Sequence, residues 1–313
     1  MKTLVISYDT DDWKNRIPYQ TKSAYSGRQR RAHIISLTKI AKKHNIRLTR
    51  ASSLWYKKAI FKKAWWYDNA WKKIRNVKPD MVYDKTPLNE NMLRVKKRLA
   101  KETKVFNSLF VEKLCSDKMM TYRYFGRFMP RCFIVNNKKQ LKQALKKIRT
   151  KRYVLKPRAG SGAKGIRFFS KKKFAKMVGK DTIVQEFIDC SGVPGIVKGT
   201  SDLRIVTING NIALVTVRKA KTGLVSNVSR GGKELVVDIG KISEKVKQTV
   251  RIIDSILKKY KPRIYTADFV FDRHNNPWLM ELNSKPGLFG YEKYPKERKR
   301  METALILAVK EEI

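Results

Sequence analysis

The run Tyr265-Thr266-Ala267-Asp268-Phe269-Val270-Phe271-Asp272-Arg273-His274-Asn275-Asn276-Pro277-Trp278-Leu279-Met280-Glu281-Leu282-Asn283-Ser284-Lys285-Pro286-Gly287 carries two apolar stretches around Arg273–Asn276, a loop of turn-forming residues. Apolar strands joined by such a loop form an antiparallel hairpin. With Asp272 facing Pro277, the register sets Phe271 opposite Trp278 and Asp268 opposite Glu281. Asn283, two residues beyond Glu281, projects from the same face. Carboxylates directly opposite one another have Cβ atoms ~5 Å apart and repel. A divalent cation relieves that repulsion, and the hard oxygens of Asp268, Glu281 and Asn283 suit Mg²⁺ completed by water and phosphate oxygens. A solvent-facing polar edge is the bland alternative. It fits poorly with Phe269, Val270, Met280 and Leu282, which mark these strands as buried.

Working upstream, Gly160-Ser161-Gly162-Ala163-Lys164-Gly165 satisfies G-x-G-x-x-G. A dinucleotide fingerprint needs a helix next and an acid about 20 residues on. Here the strand-like Ile166-Arg167-Phe168-Phe169 follows, and Asp181 is the first acid. A Walker A loop needs Gly-Lys-Ser/Thr, which Lys164-Gly165-Ile166 does not supply. A glycine loop at the tip of a hairpin, folded over phosphates, remains. No His-Arg-Asp or Asp-Phe-Gly follows, so the kinase catalytic loop is missing. Lys156 ends the strand entering the loop, where its ammonium reaches phosphates beneath the lid. Lys118 offers a second charge.

The rest of the chain supplies the frame. Strands at Thr3–Ser7, Ile46–Leu48, Met81–Tyr83 and Val105–Phe106, with a helix over Arg28–His44, make a small parallel α/β domain. The segment Leu54–Val77 reads as a helix, because Trp55, Tyr56, Ile60, Ala64, Tyr67, Trp71 and Ile74 recur at three- and four-residue steps. Trp55, Trp65, Trp66 and Trp71, among Lys57, Lys58, Lys62, Lys63, Lys72 and Lys73, fit a core-facing stripe, a base-stacking surface or an anionic bilayer. Further on, the pattern predicts a helix over Lys138–Ile148, a strand over Tyr153–Lys156, another helix after Phe169 and a strand over Thr182–Ile188. Strands then follow at Leu203–Ile208 and Ile212–Arg218, with a helix over Ser243–Tyr260.

Seventy-two Lys and Arg against twenty-six Asp and Glu give a net charge of +46 over 313 residues. From Lys118 to Lys180 there are twenty-one basic residues and no acid. Such a face attracts polyanions, nucleic acid or an acidic peptide among them, or is simply solvated charge. Hydrophobic residues make up 42%, enough for a real core. No apolar run approaches ~18 residues, so no spanning helix is expected. The apolar start stops at Ser7, before Asp9, Asp11 and Asp12, and does not read as a secretory signal. Cys115, Cys132 and Cys190 lie far apart and read as reduced thiols of a cytoplasmic protein. His33, His44 and His274 form no Ser-His-Asp or Cys-His constellation.

These segments, in this order, resemble the ATP-grasp superfamily in its carboxylate–amine ligase branch, which includes glutathione synthetase, D-alanine–D-alanine ligase and RimK. The resemblance runs from about Lys118 to Gly287. It rests on Asp117-Lys118, on Val154-Leu155-Lys156-Pro157 with the glycine loop, and on Val184–Ile188. Asp202-Leu203-Arg204, Arg218, Ser226–Gly232 and the Asp268/Glu281/Asn283 hairpin complete it. The wording of Ser226–Gly232 and Trp278–Gly287 is similar to YheC/YheD-type proteins. The resemblance implies an α/β protein with an ATP-grasp fold. An N-terminal Rossmann-like domain (1–112) would precede a middle subdomain with the lid (113–188) and a C-terminal subdomain with the Mg²⁺ site (189–313).

It also implies ATP and Mg²⁺ as cofactors. Lys118 and Lys156 would meet the phosphates under Gly160, Ser161, Gly162 and Gly165. Gln185, Glu186, Phe187 and Ile188 would meet adenine, Asp202 the ribose, and Asn227 would lie near the nucleotide. Asp268, Glu281 and Asn283 would hold the metal. A substrate carboxylate would take the γ-phosphoryl group and an amine would capture the acyl phosphate. D-alanine ligases carry an arginine two residues before the first metal ligand, where this chain has Thr266. Oxyanion stabilisation then falls to Arg204, Arg218 or Arg230. Two other readings stay open: a nucleic-acid-binding protein that keeps the fold without ligation, and a kinase on the same scaffold.

Overall fold

The computed structural model describes residues 1–20, 24–160, 162–171, 178–226, 231–288, 291 and 293–313. The N-terminal part holds β1 (Lys2–Tyr8), α1 (Ala24–Lys43), β2 (Ile46–Ser52), β3 (Tyr56–Lys57), β4 (Ile60–Asp68), β5 (Ala70–Val77), β6 (Met81–Asp84), α2 (Glu90–Glu102) and β7 (Lys104–Phe106). The apolar runs of β1, β2, β6 and β7 pair in parallel in the order β2-β1-β6-β7. Ile34, Leu37 and Ala41 of α1 recur at helical spacing and are buried on this sheet. Asn89 caps α2 by accepting from the Met92 amide at 3.0 Å.

The helix expected over Leu54–Val77 is absent. That segment is β3, β4 and β5, a meander that extends the sheet beyond β2. Lys58 and Ala59 join β3 to β4 with φ of 50° and 58°, and Asn69 joins β4 to β5 with φ of 59°. Phe61, Ala64 and Trp65 are all buried, so both faces of β4 are covered and three- and four-residue spacings arise without a helix. Trp55 and Trp65 lie in the core, out of reach of a base.

Next come α3 (Leu109–Ser116), α4 (Lys118–Phe125), β8 (Cys132–Val135), α5 (Lys138–Lys147), β9 (Arg152–Pro157), β10 (Arg167–Ser170) and β11 (Thr182–Glu186). The four strands form an antiparallel sheet in the order β10-β9-β11-β8, with α5 on one face. The helix expected after Phe169 falls on 172–177, outside the described residues.

The last part contains β12 (Gly192–Val193), β13 (Val197–Lys198), β14 (Ser201–Ile208), β15 (Asn211–Lys219), β16 (Lys233–Val236), α6 (Glu244–Leu257), β17 (Ile264–Phe271), β18 (Pro277–Asn283) and α7 (Pro295–Lys310). Its antiparallel sheet runs β16-β15-β14-β17-β18, and α6 packs on it through Val246, Val250, Ile253 and Leu257. Helix α7, which the sequence reading does not anticipate, packs on α1 and β15. Its Glu302 accepts from Arg298 Nε at 3.0 Å and meets His33 Nδ1 of α1 at 2.8 Å. Val206, Ile208 and Leu214 therefore share one core with β1, β6 and α7.

Candidate active site

The glycine loop is the tip of a hairpin, as its sequence indicates: Leu155 of β9 pairs with Arg167 of β10. Gly165 has φ +75°, and a Cβ there would stand 3.0 Å from the Pro157 ring, so the return of the lid requires glycine. Lys118 is placed by Asp117, which caps α4 through the Met119 and Met120 amides at 2.9 and 3.2 Å. Asp117 also takes a bidentate bond from Arg158, at the end of β9, at 2.9 and 2.6 Å. Lys118 Nζ donates to the Gly160 carbonyl at 2.9 Å and so sits at the root of the lid. Lys156 is buried. Burial and the neighbouring Lys118 push its ammonium down to about 8, against the opposing pull of Glu281. Burial lowers Lys118 as well. Two ammonium groups held short of counter-charge suit a polyphosphate.

Beside these lysines a cavity of about 190 Å³ opens between the two antiparallel sheets. Gln185, Glu186, Phe187, Ile188, Asp202, Arg218, Asp268 and Glu281 all line it, together with Lys118 and Lys156. Ile166 and Phe168 of the lid hairpin, Val270, Met280 and Leu224 add apolar walls that sequence reasoning missed. The apolar runs of β10 and β18 are the signal that could have found Phe168 and Met280; nothing local marks Leu224. Phe168 stands edge-on to Phe187, with centroids 5.9 Å apart. The Glu186 side chain turns away to accept the Arg131 and Arg149 amides at 3.2 and 2.8 Å, so that carboxylate anchors the strand behind the cavity. Ser161, Asn227 and Arg230 lie outside the described residues.

Asp268 does face Glu281, but by a different route from the expected one. Phe271 pairs with Pro277 and Val270 with Trp278, one residue off the expected register near the loop. A bulge between Asp268 and Phe269 then restores the Asp268–Glu281 pair. Asn107 fixes both ends of this hairpin: its amide donates to the Ile264 and Ser284 carbonyls, each at 2.8 Å.

Two arginines also share the Asp268 side of this pair and neutralise its charge. Arg204 pairs with Asp268 across β14 and β17, and Arg218 with Asp202 across β14 and β15. Positions 202 and 204 share a sheet face, so the four side chains interlock. Arg204 donates to both Asp268 oxygens at 2.8 and 2.7 Å, while Arg218 reaches Asp268 at 2.8 Å and Asp202 at 2.6 Å. Burial alone would raise the Asp268 carboxyl, but Arg204 and Arg218 overrule it and hold it at about 2. Burial outweighs Arg218 at Asp202, whose carboxyl is raised. Glu281 accepts only from Asn283 Nδ2, at 3.2 Å, among the described residues.

The donors at this edge are all hard oxygens, which fits Mg²⁺ and no thiolate or imidazole metal. Among the described residues no three His, Cys, Asp or Glu gather as a metal centre. A cation here would draw on Asp268, Glu281 and Asn283 together with phosphate and water oxygens.

A cationic floor, a glycine lid and a carboxylate edge enclosing an apolar slot between two antiparallel sheets define a nucleotide-clamping enzyme class. A family model described as "ATP-grasp domain" matches residues 115–285, more than half of the chain, and the chain belongs to the ATP-grasp family. The "Probable alpha-L-glutamate ligase" of Legionella pneumophila (strain Corby) is 34% identical over 112 residues, which cover 36% of this chain and 32% of that protein. The chain thus spans about a third of the length of the curated relatives it matches. The D-cycloserine synthetase DcsG is similar in fold, with a TM-score of 0.62, 13% identity, and coverage of 98% of this chain and 99% of that one. The ATP-grasp ligase PsnB, complexed with a phosphomimetic variant of its minimal precursor, Mg and ADP, has a TM-score of 0.59 at 14% identity, covering 99% of each chain. Among the described residues no helix is long and apolar enough to cross a membrane.

Proposed function

We propose that this chain is an ATP-dependent carboxylate–amine ligase that works through an acyl phosphate. The observation that carries the reading is one cavity bordered at once by Lys118 and Lys156 and by Asp268 and Glu281. An oxygen of the substrate carboxylate attacks the γ-phosphorus, the bond to the β-phosphate oxygen breaks, and ADP leaves. An amine nitrogen then attacks the acyl carbon, phosphate departs, and the amine gives up a proton. Such chemistry asks the protein mainly for positioning and charge neutralisation. Lys118 and Lys156 bind the phosphates beneath Gly160–Gly165, Phe187 and Ile188 pack on adenine, and Asp202 meets the ribose. Mg²⁺, held by Asp268, Glu281 and Asn283, supplies neutralisation of phosphate charge. Arg218, which lines the cavity, and Arg204, which grips Asp268 at its edge, are the candidates for oxyanion stabilisation.

Residues 1–112, 113–188 and 189–313 serve as the N-terminal, lid-bearing and metal-bearing units. The acid-free face from Lys118 to Lys180 adjoins this centre and favours an acidic or polymer-carried substrate; the Legionella relative's name points to glutamate as one partner of the bond. Release of ADP, screened against pooled carboxylates and amines with mass spectrometry of the products, tests the reading. Turnover that needs both an acid and an amine and yields an amide supports it. ATP hydrolysis indifferent to both pools refutes it.

A further inference from the structure

Strands β2, β1, β6 and β7 all run parallel, and β1 has β2 on one side and β6 on the other. The chain goes from β1 to β2 in one direction and reaches β6 in the other. The gap between the C-terminal ends of β1 and β6 is therefore the topological switch point, the place where open α/β sheets hold ligands. Here it is rimmed by Tyr8 at the end of β1 and by Lys85, directly after β6. It also abuts the loop leaving the carboxylate hairpin, because Lys85 Nζ donates to the Pro286 carbonyl at 2.6 Å.

Three lysines gather on this side of the hairpin, and two have their counter-charge. Lys96 pairs with Asp84 and, at 3.0 Å, with Glu112, and Lys285 pairs with Glu112 at 2.8 Å. Lys85 meets the Pro286 carbonyl and, at 3.3 Å, the Tyr83 hydroxyl, but no carboxylate among the described residues. An ammonium has three donors, so one is left over. Burial, and then the neighbouring Lys285 and Arg30, push this ammonium down to about 7. Two neutral oxygens and the face of the Tyr83 ring, 5.0 Å from Nζ, poorly compensate a half-buried cation beside Lys285 and Arg30, and an arriving anion would relieve it.

We infer that the switch-point crevice between β1 and β6 binds a carboxylate of an acidic substrate, with Lys85 as its ion-pair partner. The inference rests on the ligase reading and deepens it. The anion is a substrate carboxylate rather than a nucleotide phosphate, since Lys85 does not line the cavity that holds Lys118 and Lys156. A carboxylate gripped here is held against the loop that follows Asn283. The crevice thus presents an acidic amino acid or peptide to the metal-bearing edge while selecting for its charge. Lys85 acts as a specificity residue and takes no part in bond making.

The test titrates the ADP-loaded full chain by calorimetry with the peptide Glu-Glu-Glu, with Gln-Gln-Gln amide and with inorganic phosphate, in wild type, Lys85→Met and Lys85→Arg. Wild type should bind Glu-Glu-Glu at least tenfold more tightly than the neutral peptide. Lys85→Met should lose at least tenfold for the acidic peptide, Lys85→Arg should stay within about threefold of wild type, and ADP affinity should not change. Equal binding of Glu-Glu-Glu by wild type and Lys85→Met overturns the inference while leaving the ligase reading intact. So does phosphate binding that competes with the peptide and shows the same dependence on Lys85. Failure of the wild type to bind ADP overturns the ligase reading, and this inference with it.

Discussion

Asp268→Asn removes the one negative charge that two guanidinium groups share. Asp268 is 2% exposed and Arg218 6%, so water cannot replace the lost charge. The substitution takes away a bidentate bond from Arg204 and the bond from Arg218, and turns an amide N–H toward one of the donors. Two routes give the magnitude. Breaking a buried ion pair by neutralising one partner costs about 3–5 kcal/mol. A carboxyl held at about 2 against its usual 3.8 contributes, by linkage, roughly 2–3 kcal/mol at neutral pH. Asp268→Asn should therefore lose about 2–5 kcal/mol in urea unfolding at pH 7, followed by tryptophan fluorescence. Glu281→Gln, half-buried and bonded among the described residues only to Asn283, should lose less than about 1 kcal/mol. The sign fixes the pH dependence. A depressed folded-state value makes the stabilisation full above about pH 4 and lost as pH falls toward 2, and Asp268→Asn should lack that portion of the acid limb. An Asp268→Asn chain within about 0.5 kcal/mol of wild type would refute the guanidinium lock. Both variants should lose Mg²⁺-dependent turnover, so activity is to be compared only where Asp268→Asn is shown to be folded.

Lys156→Ala should weaken ATP binding by at least tenfold, whereas Lys164→Ala, exposed on the lid, should change it less than threefold; equal affinities by calorimetry would contradict the placement of Lys156 beneath the loop. Because Lys156 titrates near 8 in the free protein and pairs with phosphate in the complex, binding above that pH takes up a proton. ATP affinity should then fall about tenfold between pH 7 and 9, and a flat profile would remove Lys156 from the phosphate site. For acidic peptides kcat/KM should drop between 0.05 and 0.5 M salt as the Debye length shortens to several ångströms, while single neutral amino acids stay level; a flat response for both would leave the basic face without a substrate role.

The parts of the fold written in short-range chemistry were legible. Apolar runs, Gly165 at the return of the lid and the turn residues Arg273–Asn276 each report a local backbone requirement, and the strands and lid hairpin appear where they indicate. The Asp268–Glu281 pair was reached with a loop register one residue off, because nothing in the residue types announces the bulge that corrects it. The Leu54–Val77 segment failed for a related reason. Its first turn is Lys58-Ala59, both at positive φ, and neither is the Asn or Gly that would mark such a turn, while burial of both faces of β4 hides the strand period. The pairing of Arg204 and Arg218 with Asp268 and Asp202 was out of reach for another reason. It depends on which strands are neighbours, β15-β14-β17, and strand order is a tertiary property. Helix α7 was missed too; its apolar face is defined by α1, β14 and β15, all distant in sequence.

An acyl phosphate intermediate can be trapped with hydroxylamine in the absence of any amine substrate. With Mg²⁺, ATP and a pool of acidic amino acids and peptides, the wild-type chain should release ADP only when an acid is present and form hydroxamate in equal amount, and Glu281→Gln should form neither. ADP released without hydroxamate, accompanied by a stable phosphate ester in the mass spectrum, would contradict ligation and make the chain a phosphoryl transferase.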